Sequence, residues 1–235
     1  MEENTIRLEE HYYIENYNLL DAEMPVLVYA PRLSKALSYS DEELLNFTKE
    51  QLDTYEEDFS YTEPHGLGAG SYALENLNQC ALFDLNENGE FVGTLRIIEN
   101  FNPLQETQFI IENGKVVEGR TVNLANGNFI MRIIFEEEKT VVLYFDEERG
   151  VIYNLIEKWK NHPEGKNEVS VQFDPHGVKT TVFNQIKNTE THYYQNDQVK
   201  FWLNFETNEG AQYEENGTLI YEDVLENNEL VRKMG

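Results

Sequence analysis

Residues 107–124 read TQFIIENGKVVEGRTVNL, in which two runs of strand-forming residues flank a single Asn-Gly pair. Val, Ile, Thr and Phe fit the pleated, half-buried surface of a sheet. Asn113 and Gly114 suit a two-residue type I′ turn, because both residue types tolerate the positive φ angles that such a turn needs. The stretch therefore predicts a β-hairpin.

The same pattern recurs from about residue 82 to the C-terminus. The turns fall at residues 86–89, 112–114, 125–127, 148–150, 175–177, 208–210 and 215–217. Short strands joined by tight turns must be antiparallel, because parallel strands need long crossover connections. We predict a mainly β protein, α+β overall, with a long antiparallel meander that forms an open rolled sheet or a barrel.

The N-terminal part has a different character. Ser40 and Glu43 form a capping box, which predicts one amphipathic helix over about residues 40–59. Its inward face is predicted to comprise Leu45, Thr48, Leu52, Tyr55 and Phe59. The loop that follows is rich in glycine and the acid content falls after it. We therefore predict an acidic N-terminal segment over 1–76 and a β-meander domain over 77–235.

Charge limits the classes of partner. The chain has 18 basic and 44 acidic residues, a net charge of −26. Nucleic acid and anionic membranes are excluded as expected partners, because binding them needs a basic face. A cationic protein would be attracted. The single Cys80 and the acidic N-terminus, which lacks an apolar signal segment, predict a cytoplasmic protein.

No motif predicts catalysis, a metal site or a cofactor. The turn at 84–90 copies the first half of a calcium loop, but Leu95 stands where the loop needs a bidentate glutamate. The glycines at 66–70 lack the spacing and the lysine of a phosphate-binding loop. None of the five histidines lies within four residues of another histidine or of Cys80. The sequence therefore offers no catalytic residue and no metal ligand.

Several turns share a further feature, an aromatic residue just before an acidic or Asn-Gly turn. Four segments follow this pattern: Phe83 to Gly93, Phe173 to Lys179, Tyr194 to Trp202 and Tyr213 to Glu222. It resembles the MORN-variant repeats of the YwqK-type antitoxin, or immunity, proteins. The resemblance implies hairpin repeats and a protein that neutralises a partner toxin by binding it.

Three functions are compatible with these observations. The first is a non-catalytic acidic binding protein of the immunity or antitoxin kind, which neutralises a basic toxin. Its expected binding residues are six steering acids and two aromatic anchors: Glu42, Glu43, Asp53, Glu56, Glu57, Asp58, Tyr194 and Trp202. The alternative is a small-ligand carrier with a lipocalin-like β-barrel, which needs an enclosed apolar cavity. The third, an enzyme that uses scattered carboxylates, has no motif in its favour.

Overall fold

The computed structural model describes residues 5–8, 11–20, 23–227 and 229–235. The chain folds as two compact units, which divide between Ala125 and Asn126. The compositional boundary predicted after residue 76 lies inside the first unit, because the segment before it packs on the strands that follow.

The first unit contains eight strands and three short helices among its described residues. In chain order they are β1 (Ile6–Arg7), β2 (Tyr12–Glu15), β3 (Val26–Tyr29), α1 (Leu33–Leu37), α2 (Asp41–Leu45), α3 (Lys49–Ser60), β4 (Gly70–Glu75), β5 (Gln79–Leu85), β6 (Phe91–Glu99), β7 (Gln105–Glu112) and β8 (Lys115–Asn123).

Strands β4 to β8 form an antiparallel meander, and β1 runs parallel to β4 at its edge. Glu112 pairs with Lys115, so Asn113 and Gly114 are the two turn residues. Their φ angles are 52° and 71°, and both fall in the left-handed region. The predicted two-residue hairpin is thus confirmed, with the backbone conformation that a type I′ turn requires.

One face of this sheet is the core of the first unit. Its buried side chains include Tyr72, Leu74, Phe83, Leu95, Ile97 and Phe109. The N-terminal segment supplies further buried residues, among them Tyr13, Ile14 and Leu19. Leu19 lies so close to Gly119 that a Cβ on this glycine would be 2.5 Å from Leu19 Cδ2. The segment therefore packs directly against strand β8.

Polar contacts hold the N-terminal segment to the same sheet. The Gln79 side chain accepts a hydrogen bond from Ile14 N at 3.0 Å and donates one to Ile14 O at 3.1 Å. Tyr17 donates its hydroxyl to Glu99 Oε1 at 2.7 Å. Burial, together with this hydrogen bond, raises the pKa of Tyr17 to about 12. Residues that are far apart in sequence thus make the contacts that complete the first unit.

The prediction of one continuous helix over residues 40–59 is wrong. Its start is confirmed, because Ser40 and Glu43 form the expected capping box. However, α2 ends at Leu45, and a second capping box at Thr48 and Gln51 starts α3. Each box satisfies backbone N–H groups that a continuous helix would have bonded internally. The chain therefore restarts its helical phase after residue 48.

The predicted inward face of that helix is wrong for Leu45, Leu52 and Phe59, whereas Tyr55 is half-buried against the rings of Tyr39 and Phe47. Leu45 is 86% exposed, Phe59 49% and Leu52 38%. Leu45 lies on α2, whereas Leu52 and Phe59 lie on α3, so the break at residues 46–48 separates Leu45 from the other two. In α3 it is Asp58, an acid, that is buried. These apolar side chains consequently lie at the surface of the first unit.

The second unit contains ten strands and no helix among its described residues. They are β9 (Phe129–Phe135), β10 (Lys139–Phe145), β11 (Ile152–Trp159), β12 (Glu168–Phe173), β13 (Lys179–Asn184), β14 (Thr189–Tyr193), β15 (Val199–Asn204), β16 (Gly210–Tyr213), β17 (Leu219–Glu226) and β18 (Glu229–Met234).

Each of these strands pairs antiparallel with the next one in sequence. The second unit has few buried hydrophobic side chains among its described residues: Ile133, Val141, Val142 and Ala211. Most other strand residues are half-buried. Most of this sheet is therefore a single layer, whose two faces are both accessible.

The predicted antiparallel meander is confirmed in both units. Within the second unit the last strand, β18, pairs with β17 and not with β9. In the first unit β1 pairs only with β4 among the described strands. Neither meander closes on itself, so the barrel alternative is wrong and the open sheet is the form adopted. No helix in the described part of the chain is long and apolar enough to cross a membrane.

Candidate functional site

The acids predicted to steer a partner lie on the two helices α2 and α3. Glu42 is exposed on α2, while Asp53 and Glu56 are exposed on α3. Within the described residues these three carboxylates make no ion pair. From Asp41 to Glu63 the sequence holds nine acids and one base, Lys49. This part of the chain therefore presents unpaired negative charge to solvent.

Glu43 and Glu57 also belong to this exposed set, but each has a local partner. Glu43 Oε2 accepts a hydrogen bond from Ser40 N at 2.7 Å, which lowers the pKa of its carboxyl group. Glu57 Oε1 lies 4.0 Å from Arg32 Nη1. Both carboxylates remain at the surface and add to the negative charge there.

Asp58 differs from the other predicted acids, because it is only 6% exposed. Its Oδ2 accepts a hydrogen bond from Lys35 Nζ at 2.5 Å, and its Oδ1 lies 3.5 Å from Arg32 Nη1. The hydrogen bond from Lys35 lowers the pKa of Asp58. This residue ties α3 to α1 and is not available as a steering charge.

Three exposed apolar side chains lie on the same helices as the acids: Leu45 on α2, and Leu52 and Phe59 on α3. Side chains of this kind, exposed among carboxylates, offer apolar contact area to a partner. We name these three residues and the acids Glu42, Glu43, Glu50, Asp53, Glu56 and Glu57 the acidic helical surface.

The two predicted aromatic anchors lie in the second unit, whereas the acids lie in the first. Tyr194 is half-buried, and its hydroxyl donates to Tyr213 O at 2.9 Å. Trp202 is half-buried on β15, opposite Thr191 on one side and Ala211 on the other. Each anchor is thus held by the sheet of the second unit, and their part in partner binding stays a prediction.

Trp202 belongs to a row of paired residues that crosses the second unit and is apolar except for Thr191. Residues paired across neighbouring strands share one face of a sheet. This row consists of Leu143, Leu155, Val171, Val182, Thr191, Trp202 and Ala211. The sequence showed the aromatic residue but not the row, because the row depends on the register of seven strands.

No group of three or more histidine, cysteine, aspartate or glutamate side chains is arranged to hold a metal ion in the part of the chain that the structure describes. Cys80 is half-buried, and its Sγ lies 3.7 Å from Asn100 Oδ1.

Comparison with known proteins gives little that bears on function. No protein-family model matches the chain, and no curated protein matches it. A solved structure with similarity is a mutant of S. aureus TarM in complex with Fondaparinux, alpha-GlcNAc-glycerol and UDP. The match has 12% identity and a TM-score of 0.34, and it covers 45% of this chain and 21% of that one. A likeness of this size does not bear on the function of this chain.

Proposed function

We propose that this chain is a non-catalytic acidic binding protein of the immunity or antitoxin kind, which neutralises a basic protein by holding it. The observation that supports this proposal is the acidic helical surface, where exposed carboxylates and exposed apolar side chains lie on the same two helices. Carboxylates attract a cationic partner from a distance and orient it. Apolar contact then stabilises the complex after the partner has bound.

The proposal also agrees with the charge of the whole chain. A net charge of −26 repels nucleic acid and anionic lipid and favours a basic protein partner. The free Cys80 suits a reducing compartment, and we propose the cytoplasm as the place of action. Under this proposal, the basic partner is the toxin.

We expect the steering acids to control the rate of association. Changing Glu42→Gln, Asp53→Asn and Glu56→Gln together removes three exposed charges from the acidic helical surface. The on-rate for the basic partner should fall by about tenfold at low salt, and the difference should largely disappear at high salt. The partner is first isolated through its binding to the tagged chain. Surface plasmon resonance then measures its on-rate for the unaltered chain and for the triple variant.

The matched control removes three exposed acids of the second unit, Glu137→Gln, Glu164→Gln and Glu206→Gln. It changes the net charge by the same amount but leaves the acidic helical surface intact. Equal losses of on-rate in both triple variants would reduce the effect to overall charge and count against this surface. An on-rate that ignores salt in the unaltered chain would contradict the proposed function as a whole.

A further inference from the structure

Three aromatic rings meet beside the acidic helical surface. Tyr39 precedes α2, Phe47 lies between α2 and α3, and Tyr55 is on α3. The ring centroids lie 5.0 Å apart for Tyr39 and Phe47, 6.2 Å for Tyr39 and Tyr55, and 6.3 Å for Phe47 and Tyr55. The interplanar angles are 82°, 69° and 79° respectively. The planes of the three rings are therefore roughly perpendicular to one another.

These rings line a pocket of about 340 Å³, together with Lys35, Glu50 and Asp58. A volume of this order is typical of pockets that bind small groups. The charge of Lys35 is matched by Asp58, whose Oδ2 accepts its hydrogen bond at 2.5 Å. Glu50 is exposed and makes no ion pair within the described residues, so it gives the pocket wall its unmatched negative charge.

The chemistry of these walls selects a cation. The face of an aromatic ring carries negative electrostatic potential, which attracts ammonium groups that approach within about 6 Å of the ring centroid. Rings and a carboxylate that line one pocket add their attractions to a cation, and the rings can also contact the alkyl part of the same group. A neutral group of equal size would gain only the apolar contact.

We propose that this pocket binds an alkylammonium group, presented by a lysine side chain of the protein partner. The choice of a lysine as the source rests on the proposed function. The presence of a site for alkylammonium rests only on the rings and on Glu50. A lysine of the partner that enters this pocket would fix the orientation of a partner that the acids of the helical surface attract.

The test titrates the full chain with pentylammonium, which matches a lysine side chain, and with 1-pentanol, its neutral counterpart. The ring proton signals of Tyr39, Phe47 and Tyr55 are followed by NMR. We expect pentylammonium to shift these signals and to bind about tenfold more tightly than pentanol. Equal affinity for both probes would overturn the proposal, because the pocket would then be an apolar cleft only.

Two pairs of variants separate the pocket from other parts of the first unit. Glu50→Gln and Tyr55→Leu alter the pocket wall, and each should weaken pentylammonium binding by about threefold or more. Glu87→Gln and Phe101→Leu make matched changes at exposed positions of the first unit, outside both the pocket and the acidic helical surface, and both should bind pentylammonium as the unaltered chain does. Glu50 is exposed, so Glu50→Gln keeps the test decisive if Tyr55→Leu does not fold. Equal weakening by Glu50→Gln and Glu87→Gln would overturn the proposal.

A second comparison identifies the source of the ammonium group. Nα-acetyl-lysine amide should bind with an affinity close to that of pentylammonium, and choline should bind no more tightly. Choline binding about tenfold more tightly would overturn the lysine assignment in favour of a free quaternary ammonium ligand. Failure of pentylammonium to bind, while the steering acids still control the on-rate of a basic partner, would remove this inference and leave the proposed function intact.

Discussion

Phe109→Ala is expected to lower the free energy of unfolding of the first unit by about 3 to 5 kcal/mol. Phe109 is fully buried in the middle of the sheet, where it pairs with Leu95 on one side and Gly119 on the other. Removal of the ring leaves a cavity that the neighbouring strands fill only in part. Urea unfolding measures the change in the free energy of unfolding, with the hydrogen exchange of amides in β5 to β8 as the readout for the first unit.

Phe101→Ala is the matched control, because Phe101 is 81% exposed in the loop between β6 and β7. The same change of side chain should cost less than about 0.5 kcal/mol there. Similar losses at the two positions would mean that Phe109 does not lie in a packed core.

The second large effect is expected for Gln79→Leu, at about 2 to 4 kcal/mol. Gln79 is 4% exposed, and its amide bonds both the N–H and the C=O of Ile14. Leucine fills similar space but leaves both backbone groups buried without a partner, and each such group costs free energy. The Ile14 amide should also exchange its hydrogen much faster, which locates the loss.

Gln195→Leu makes the same chemical change at an exposed turn position. We expect its stability to stay within about 0.5 kcal/mol of the unaltered chain. If Gln79→Leu unfolded at the same urea concentration as Gln195→Leu, the side chain of Gln79 would not act as the strand partner of Ile14.

The hairpins of this protein could be predicted from short sequence windows, and the helical segment could not. At Asn113-Gly114 the residue types alone determine the turn, because few other residues adopt positive φ at two successive positions. Residues 40–59 contain a second start signal, Thr48 with Gln51, which is also a capping box by its spacing. The apolar periodicity across residue 46 concealed this signal.

The candidate site was likewise predictable only in part. The density of acids on α2 and α3 was visible in the sequence. The burial of Asp58 was not, because it depends on Lys35 and Arg32 from an earlier element. The ring pocket could not be predicted for a similar reason. Tyr39 and Phe47 lie outside the helices, and they contact Tyr55 in a structure in which α2 and α3 are two helices and not one.

The single-layer sheet of the second unit has a consequence for how the chain folds. Each of its strands contacts the strands adjacent in sequence, so its contact order is low and its hairpins can form locally. The first unit must instead close long loops, since Ile14 meets Gln79 across 65 residues and Tyr17 meets Glu99 across 82. We therefore expect the later part of the chain to acquire structure faster than the earlier part. In the native state, opening should start at β18, which pairs only with β17 among the described strands, and pass inward one hairpin at a time.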